Sequence, residues 1–332
     1  MKIAIFGATG LVGSTMIKVL QELPLENAEY MAVASPQSSG KQISFGSQFL
    51  KVITPEDALK EKPDLVLMSA GSGPSLEWAP RFEIQGSWVI DNSSAWRMNP
   101  EIALIVPEIN GYDIELTNRR IIANPNCSTI QMLMALYPLH QKWGLDEIIV
   151  STYQSVTGTG VKAVTQLEQE RQGETPEVKA YPYPIDLNLI PHIDTFQENG
   201  YTKEEMKMIW ETQKILHDET IKISPTAVRV PVMGGHSESI RVLFKQEVNI
   251  NTAKELLKEF PGIQLKDDPF HNEYPMPKFV EGDNHVWVGR IRNDLFNSKA
   301  LNLWVVADNL RKGAATNAIQ IAHALIHKSL LT

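Results

Sequence analysis

Short apolar runs separated by glycine-rich or polar punctuation divide the chain into two regimes. Up to residue 126 the runs are brief and nearly unbroken: 2–6, 29–34, 63–70, 88–91, 104–108 and 120–123. Unbroken runs of this length predict strands covered on both faces. The helical stretches between them, beginning at 14–23, predict an open parallel sheet built by strand–helix alternation. Beyond residue 127 the strands lengthen and partly alternate, at 147–156, 228–232, 238–248, 286–291 and 300–306. That pattern predicts a second domain on a mixed or antiparallel sheet with one face covered.

Helical periodicity marks 128–136, 161–173, 201–216, 252–259 and about 313–328. Thr202 is placed to cap the 201–216 helix, with Glu205 at the capping-box spacing. In the last helix Ala315, Ala318, Ile319, Ala322, Leu325 and Ile326 share one face, small enough to pack closely on the first domain. The stretch 175–194 holds Pro176, Pro182, Pro184 and Pro191 and reads as an extended connection.

The chain has 332 residues, which suggests two cores rather than one. At 43% hydrophobic and 21% charged residues it reads as a globular enzyme, not a disordered chain. A net charge of −8 argues against nucleic acid or an anionic membrane as the main partner, while leaving room for a local anion pocket. The single cysteine excludes an intrachain disulfide and fits a reducing compartment. No signal peptide or membrane-length run is visible, so a cytoplasmic location is expected.

Candidate chemistry begins at Gly7-Ala8-Thr9-Gly10-Leu11-Val12-Gly13, a glycine loop between a strand and a helix. This is a GxxGxxG variant of the dinucleotide fingerprint, in which glycines let the backbone approach a pyrophosphate at the helix N-terminus. An NAD site usually has an acid at the end of the second strand. Here that end reads Ser35-Pro36-Gln37-Ser38-Ser39-Gly40-Lys41, with hydroxyls and a lysine, which suits NADP. The loop at Gly71 should face the same cofactor, and Arg97 follows another strand as a candidate anion clamp.

Cys127 sits between the 120–123 strand and the 128–136 helix, where the helix terminus favours the nucleophilic thiolate. A buried core thiol is the alternative, and the polar Asn124-Pro125-Asn126 lead-in favours the nucleophile. The stretch from Arg229 to Ser237 supplies an anion grip and, in His236, a general acid/base. The remaining histidines have no metal-ligand spacing, so no metal is expected. A cysteine, a base, anion grips and a nicotinamide cofactor together fit acyl transfer through a thioester coupled to hydride transfer.

Over essentially its whole length the chain resembles the bacterial type of aspartate-semialdehyde dehydrogenase. The resemblance rests on Gly7 to Gly13, Asp91-Asn-Ser-Ser94, Val106-Pro-Glu108, Asn124-Pro-Asn-Cys-Ser-Thr-Ile-Gln131 and Tyr153-Gln154-Ser-Val. It continues through Ile190-Pro-His-Ile193, 229–237, Val288-Gly-Arg-Ile-Arg292 and 308–315. It implies NADP-dependent, reversible interconversion of L-4-aspartyl phosphate and L-aspartate 4-semialdehyde, within lysine, threonine, methionine and isoleucine biosynthesis. It also implies an NADP-binding domain of residues 1–127 plus 312–332, and a catalytic and dimerisation domain of residues 128–311. The partners implied are a small-molecule substrate and inorganic phosphate, in a homodimer or tetramer.

By resemblance Cys127 is the acyl-forming nucleophile, His236 the acid/base, and Gln154 orients the covalent intermediate. Arg229 would grip the α-carboxylate and Glu204 the substrate amino group, while Lys207, Arg97 and Asn126 would hold phosphate. Gly7, Thr9, Gly10, Leu11, Val12, Gly13, Ser35, Ser38, Lys41, Gly71, Ser155, Gly158 and Asn309 would contact NADP(H). Many relatives carry an arginine in the loop where this chain has Gln37, so weaker NADP selectivity is expected. Two other readings are an N-acetyl-γ-glutamyl-phosphate reductase and a catalytically silent NADP-binding relative.

Overall fold

A computed structural model of the protein describes residues 1–331 and divides into two compact units. The first comprises Met1–Asn126 and the chain from Ala314 onwards, and the second Cys127–Gly313.

The first unit is organised by eight strands: β1 (Lys2–Phe6), β2 (Glu29–Val33), β3 (Gln42–Phe45), β4 (Gln48–Ile53), β5 (Leu65–Met68), β6 (Trp88–Asp91), β7 (Ala103–Leu104) and β8 (Ile121–Ala123). Their order is β3-β4-β2-β1-β5-β6-β8-β7, parallel throughout except for the β3–β4 hairpin. Every residue of β5, β6 and β8 is buried, as the unbroken apolar runs predict. Successive connections leave β1 in opposite directions, to β2 on one side and β5 on the other. Such a switch point opens a crevice at the carboxyl ends of the strands. The Thr316–His327 helix buries Ala318, Ile319, Ala322 and Leu325 in the same core as Ile3, Ile5, Met16 and Leu20. Each buried leucine, isoleucine or methionine side chain contributes about 2 kcal/mol.

Two local departures from the sequence pattern have simple causes. The β3–β4 hairpin was not expected, because its strands lie at the exposed sheet edge and lack a buried run. The expected strand at 104–108 is confined to Ala103–Leu104, because Pro107 starts a short helix, Pro107–Asn110.

The second unit contains β9 (Leu145–Gln154), β10 (Lys222–Arg229), β11 (His236–Phe244), β12 (Ile263–Leu265), β13 (Val286–Asn293) and β14 (Ala300–Ala307). The order β10-β9-β11-β14-β13-β12 combines parallel pairs at both edges with antiparallel pairs between them, giving the expected mixed sheet. Alternate β11 residues from His236 to Phe244 are buried, and Phe244 meets Trp143 of the Cys127–Trp143 helix with ring centroids 5.7 Å apart. The Lys203–Leu216 helix starts with the predicted capping box between Thr202 and Glu205. Glu205 also accepts from Ala227 N at 2.9 Å, which ties this helix to β10.

Candidate active site

Cys127 is the first residue of its helix and is half-buried. The chain reaches it from β8 through Asn124, whose Nδ2 donates to Ala314 O (3.3 Å) and whose Oδ1 accepts from Asn317 (2.6 Å). Gly313 passes close by: a β-carbon there would lie 2.7 Å from the Cys127 β-carbon and 3.7 Å from that of Asn309. Asn309 Oδ1 in turn accepts from Ser155 Oγ and Thr157 Oγ1, both at 3.0 Å. Ser155 N donates to His236 Nδ1 at 3.0 Å. A continuous set of contacts thus leads from the cysteine to the histidine.

His236 is fully buried at the start of β11. Burial, and then the Arg229 charge, push its pKa down to about 3. The ring is therefore neutral at physiological pH. Because Nδ1 accepts the Ser155 N–H, the ring proton sits on Nε2, which has no partner among the described residues.

Gly158 explains how an arginine and this histidine come close. A β-carbon at 158 would be 3.2 Å from both Arg229 Nη1 and the His236 ring. Arg229 ends β10, donates from Nη1 to Ser155 O at 2.6 Å, and lies over the Tyr181 ring at 5.9 Å. Gln154, the last residue of the neighbouring β9, donates to Glu204 Oε1 at 3.2 Å. Glu204 Oε2 accepts from Lys207 at 2.9 Å, and Lys207 also donates to Asp194 at 2.8 Å. Burial disfavours the Lys207 charge, but Glu204 and Asp194 outweigh it and raise the pKa. Glu204 is buried and Lys207 half-buried, so they are a partly enclosed ion pair, not the exposed i,i+3 pair that spacing alone would give.

Cys127, His236, Gln154, Arg229, Glu204, Lys207, Ser155, Gly158 and Asn309 all belong to the second unit, whereas Arg97 and Asn126 belong to the first. Both of the latter are buried, and Arg97 Nη2 donates to Asn92 O at 2.8 Å.

At the switch point of the first unit lies a cavity of about 550 Å³, lined by Gly7, Thr9, Gly10, Ser35 and Pro36 among others. Its volume is within the range of cofactor sites. Gly10 caps the Leu11–Glu22 helix without a side-chain hydrogen bond, so the first-turn N–H groups remain available to an anion. Gly7 has φ +86°, and a β-carbon there would clash with Ser69 O at 2.3 Å. One on Gly13 would meet Gly7 O at 2.1 Å, so this glycine permits close packing of helix on loop. Leu11, Val12, Gly13, Ser38, Lys41 and Gly71 do not line the cavity. The end of β2 carries no acid, as read from the sequence, but Glu56, from the first turn of the Pro55–Glu61 helix, lines the cavity with Ser35 and Pro36. It was missed because it follows β4, beyond the loop where an acid was sought.

Family models match both units: "Semialdehyde dehydrogenase, NAD binding domain" over residues 2–117, and "Semialdehyde dehydrogenase, dimerisation domain" over residues 136–312. The chain is 49% identical to an aspartate-semialdehyde dehydrogenase of Aquifex aeolicus, covering 99% of both chains.

This chain belongs to the aspartate-semialdehyde dehydrogenase family.

A solved aspartate-semialdehyde dehydrogenase II of Vibrio cholerae, complexed with ASA, is 44% identical, with TM-score 0.94 over 98% of each chain. The family enzyme of Candida albicans, solved with NADP, is 25% identical with TM-score 0.78 over 99% of each chain. Membership makes the chain an oxidoreductase with a nicotinamide-cofactor domain and a domain of the dimerising type. Among the described residues no helix is long and apolar enough to cross a membrane. Asp194, Tyr181 and Gly313 escaped sequence reasoning. Asp194 and Gly313 adjoin or lie within recognised motifs, but only the fold brings Tyr181 under Arg229.

Proposed function

We propose that the protein catalyses the NADP-dependent, reversible reductive dephosphorylation of L-4-aspartyl phosphate to L-aspartate 4-semialdehyde. The observation that carries this reading is the buried His236, its Nε2 unpartnered among the described residues, joined by contacts to the sole cysteine and flanked by Arg229 and the Gln154–Glu204–Lys207 chain. Two relatives named above are described with ASA and with NADP, which supports the substrate and cofactor.

In this reading the first unit is the cofactor domain. Gly7, Thr9, Gly10 and Ser35 would hold the cofactor against the helix terminus, with Leu11, Val12 and Gly13 shaping that turn, and Ser38, Lys41 and Gly71 at its periphery. Bound NADPH supplies a hydride. Ser155, Gly158 and Asn309 would shape the catalytic end.

The Cys127 thiolate attacks the acyl carbon, phosphate leaves, and a thioester forms. Gln154 orients the acyl group. As hydride reaches the carbonyl carbon, negative charge builds on oxygen, and His236 Nε2–H hydrogen-bonds it. Collapse of that oxyanion reforms the carbonyl and expels the thiolate, so this sequence balances without net proton transfer from the ring. Arg229 would hold the α-carboxylate, Glu204 the amino group, and Lys207, Arg97 and Asn126 the phosphate. A homodimer, with or without further assembly, and a cytoplasmic location complete the proposal.

The test follows NADPH formation from aspartate semialdehyde, with and without phosphate, in wild type and Cys127→Ala. Phosphate-dependent formation lost in the variant is expected. Turnover of N-acetylglutamate 5-semialdehyde instead would overturn the substrate.

A further inference from the structure

Gln131 and Glu238 lie outside the roles above. Glu238 is fully buried on β11, two residues after His236 and therefore on the same face of the strand. Gln131 is 1% exposed and lies four residues after Cys127, on the same side of its helix. Two strand residues advance about 6.6 Å, and four helical residues about 6 Å. The two steps are therefore of similar length. Cys127 and His236 mark one end, joined through Gly313, Asn309 and Ser155, and Trp143 and Phe244 meet at the other. Gln131 and Glu238 form the next rung in from the reacting end.

The chemistry of the rung is self-complementary. Both polar atoms of Gln131 and both carboxyl oxygens of Glu238 are buried with no hydrogen-bond partner among the described residues. Gln131 is the polar side chain that bears on the Glu238 carboxyl. Each is thus a buried polar neighbour of the other with its hydrogen-bonding capacity unspent. Burial pushes the Glu238 pKa well above its ordinary value, which favours the protonated acid. An acid and a carboxamide can then exchange two hydrogen bonds, each supplying one donor and one acceptor. An ionised carboxylate would leave the amide oxygen facing a negative charge.

We propose that Gln131 and Glu238 are a positioning pair, clamping the first turn of the nucleophile helix to β11 and thereby setting the approach of Cys127 to His236. They touch no substrate atom and act through the two residues one rung away. The proposal rests on the assignment of Cys127 and His236 above.

The test combines turnover of the semialdehyde with the rate of iodoacetamide alkylation, which in a chain with one cysteine reports Cys127 alone. Glu238→Leu and Gln131→Leu are each expected to lower kcat about tenfold, with KM changed less than about twofold. Both should change the alkylation rate at least about threefold. Glu238→Gln, which keeps a neutral pair of the same size, is expected to restore both readouts to within about twofold of wild type. The double leucine variant should lose little more than either single one. If leucine prevents folding, the exchanged variant Gln131→Glu/Glu238→Gln decides, because it retains one acid and one amide. It should keep its kcat while Gln131→Glu alone loses it. Wild-type kcat and alkylation in the leucine variants, a Glu238→Gln variant as impaired as Glu238→Leu, or an inactive exchanged variant overturns the pair. Wild-type enzyme inactive on the semialdehyde would refute the reaction, while alkylation would still decide the pair.

Discussion

Gly313 and Cys127 are packed so closely that no side chain fits between them: a β-carbon at 313 would stand 2.7 Å from that of the cysteine. Gly313 lies in the widened Arg311–Ala315 helical turn and donates to Asp308 O at 3.3 Å. Gly313→Ala must displace either this turn or the nucleophile. Overpacking of this kind costs about 1–3 kcal/mol. We expect a lower melting temperature and a kcat reduced about tenfold or more, since small misplacements of reacting groups are expensive. A Gly313→Ala variant with unchanged kcat and alkylation rate would show that the cysteine tolerates the shift.

His236 should behave as a neutral donor. His236→Ala is expected to lower kcat by about 10²- to 10³-fold, the usual effect of removing one oxyanion donor. His236→Asn, which keeps an N–H, should retain more. With the folded pKa near 3, the free enzyme should show no His236 inflection around pH 6.5 in kcat/KM. An inflection there that disappears in His236→Asn would contradict the buried neutral ring.

The two buried titratable groups on β11 affect stability with opposite signs. The folded pKa of His236 is depressed, so its contribution is complete above about 6.5 and is lost as pH falls towards 3. The folded pKa of Glu238 is raised, so its contribution is complete below about 4.5 and is lost as pH rises. Glu238→Gln removes the second dependence. Denaturant unfolding should find this variant more stable than wild type at pH 8, with the difference closing by about pH 4.5. A constant difference across that range would mean that Glu238 does not titrate on unfolding.

Much of this organisation is legible in the sequence because it depends on local chemistry. The buried runs of β5, β6 and β8, the glycine loop before the first helix, and the Thr202–Glu205 box each declare themselves within a few residues. The exposed β3–β4 edge has no such pattern. Residue types at the site are visible too, but their company is not. Arg229 and His236 meet through Gly158, far away in the chain, and Lys207 is shared between Glu204 and Asp194. Glu56 reaches the cavity from a separate helix.

That last placement bears on cofactor choice. A carboxylate in the cavity opposes an extra phosphate, and no arginine stands at Gln37 to offset it. Glu56→Gln should tighten NADP about three- to tenfold and leave NAD nearly unchanged, by calorimetric titration. Equal effects on both cofactors would remove Glu56 from the selectivity.

Glu204 sits between Gln154 and Lys207 with its carboxylate committed to both. If it also receives the substrate amino group, Glu204→Gln should raise the KM for aspartate semialdehyde about tenfold or more, since a hydrogen bond to a charged group contributes about 1.5–3 kcal/mol. An unchanged KM would point to a substrate lacking a free amine.

The covalent step is the centre of the mechanism, and mass spectrometry tests it most directly. Enzyme mixed with L-4-aspartyl phosphate in the absence of NADPH, then quenched in acid, should carry one aspartyl adduct on the peptide containing Cys127. The adduct should be absent from Cys127→Ala and discharged by NADPH. An unmodified cysteine under conditions that support turnover, or an adduct on another residue, would contradict the thioester route.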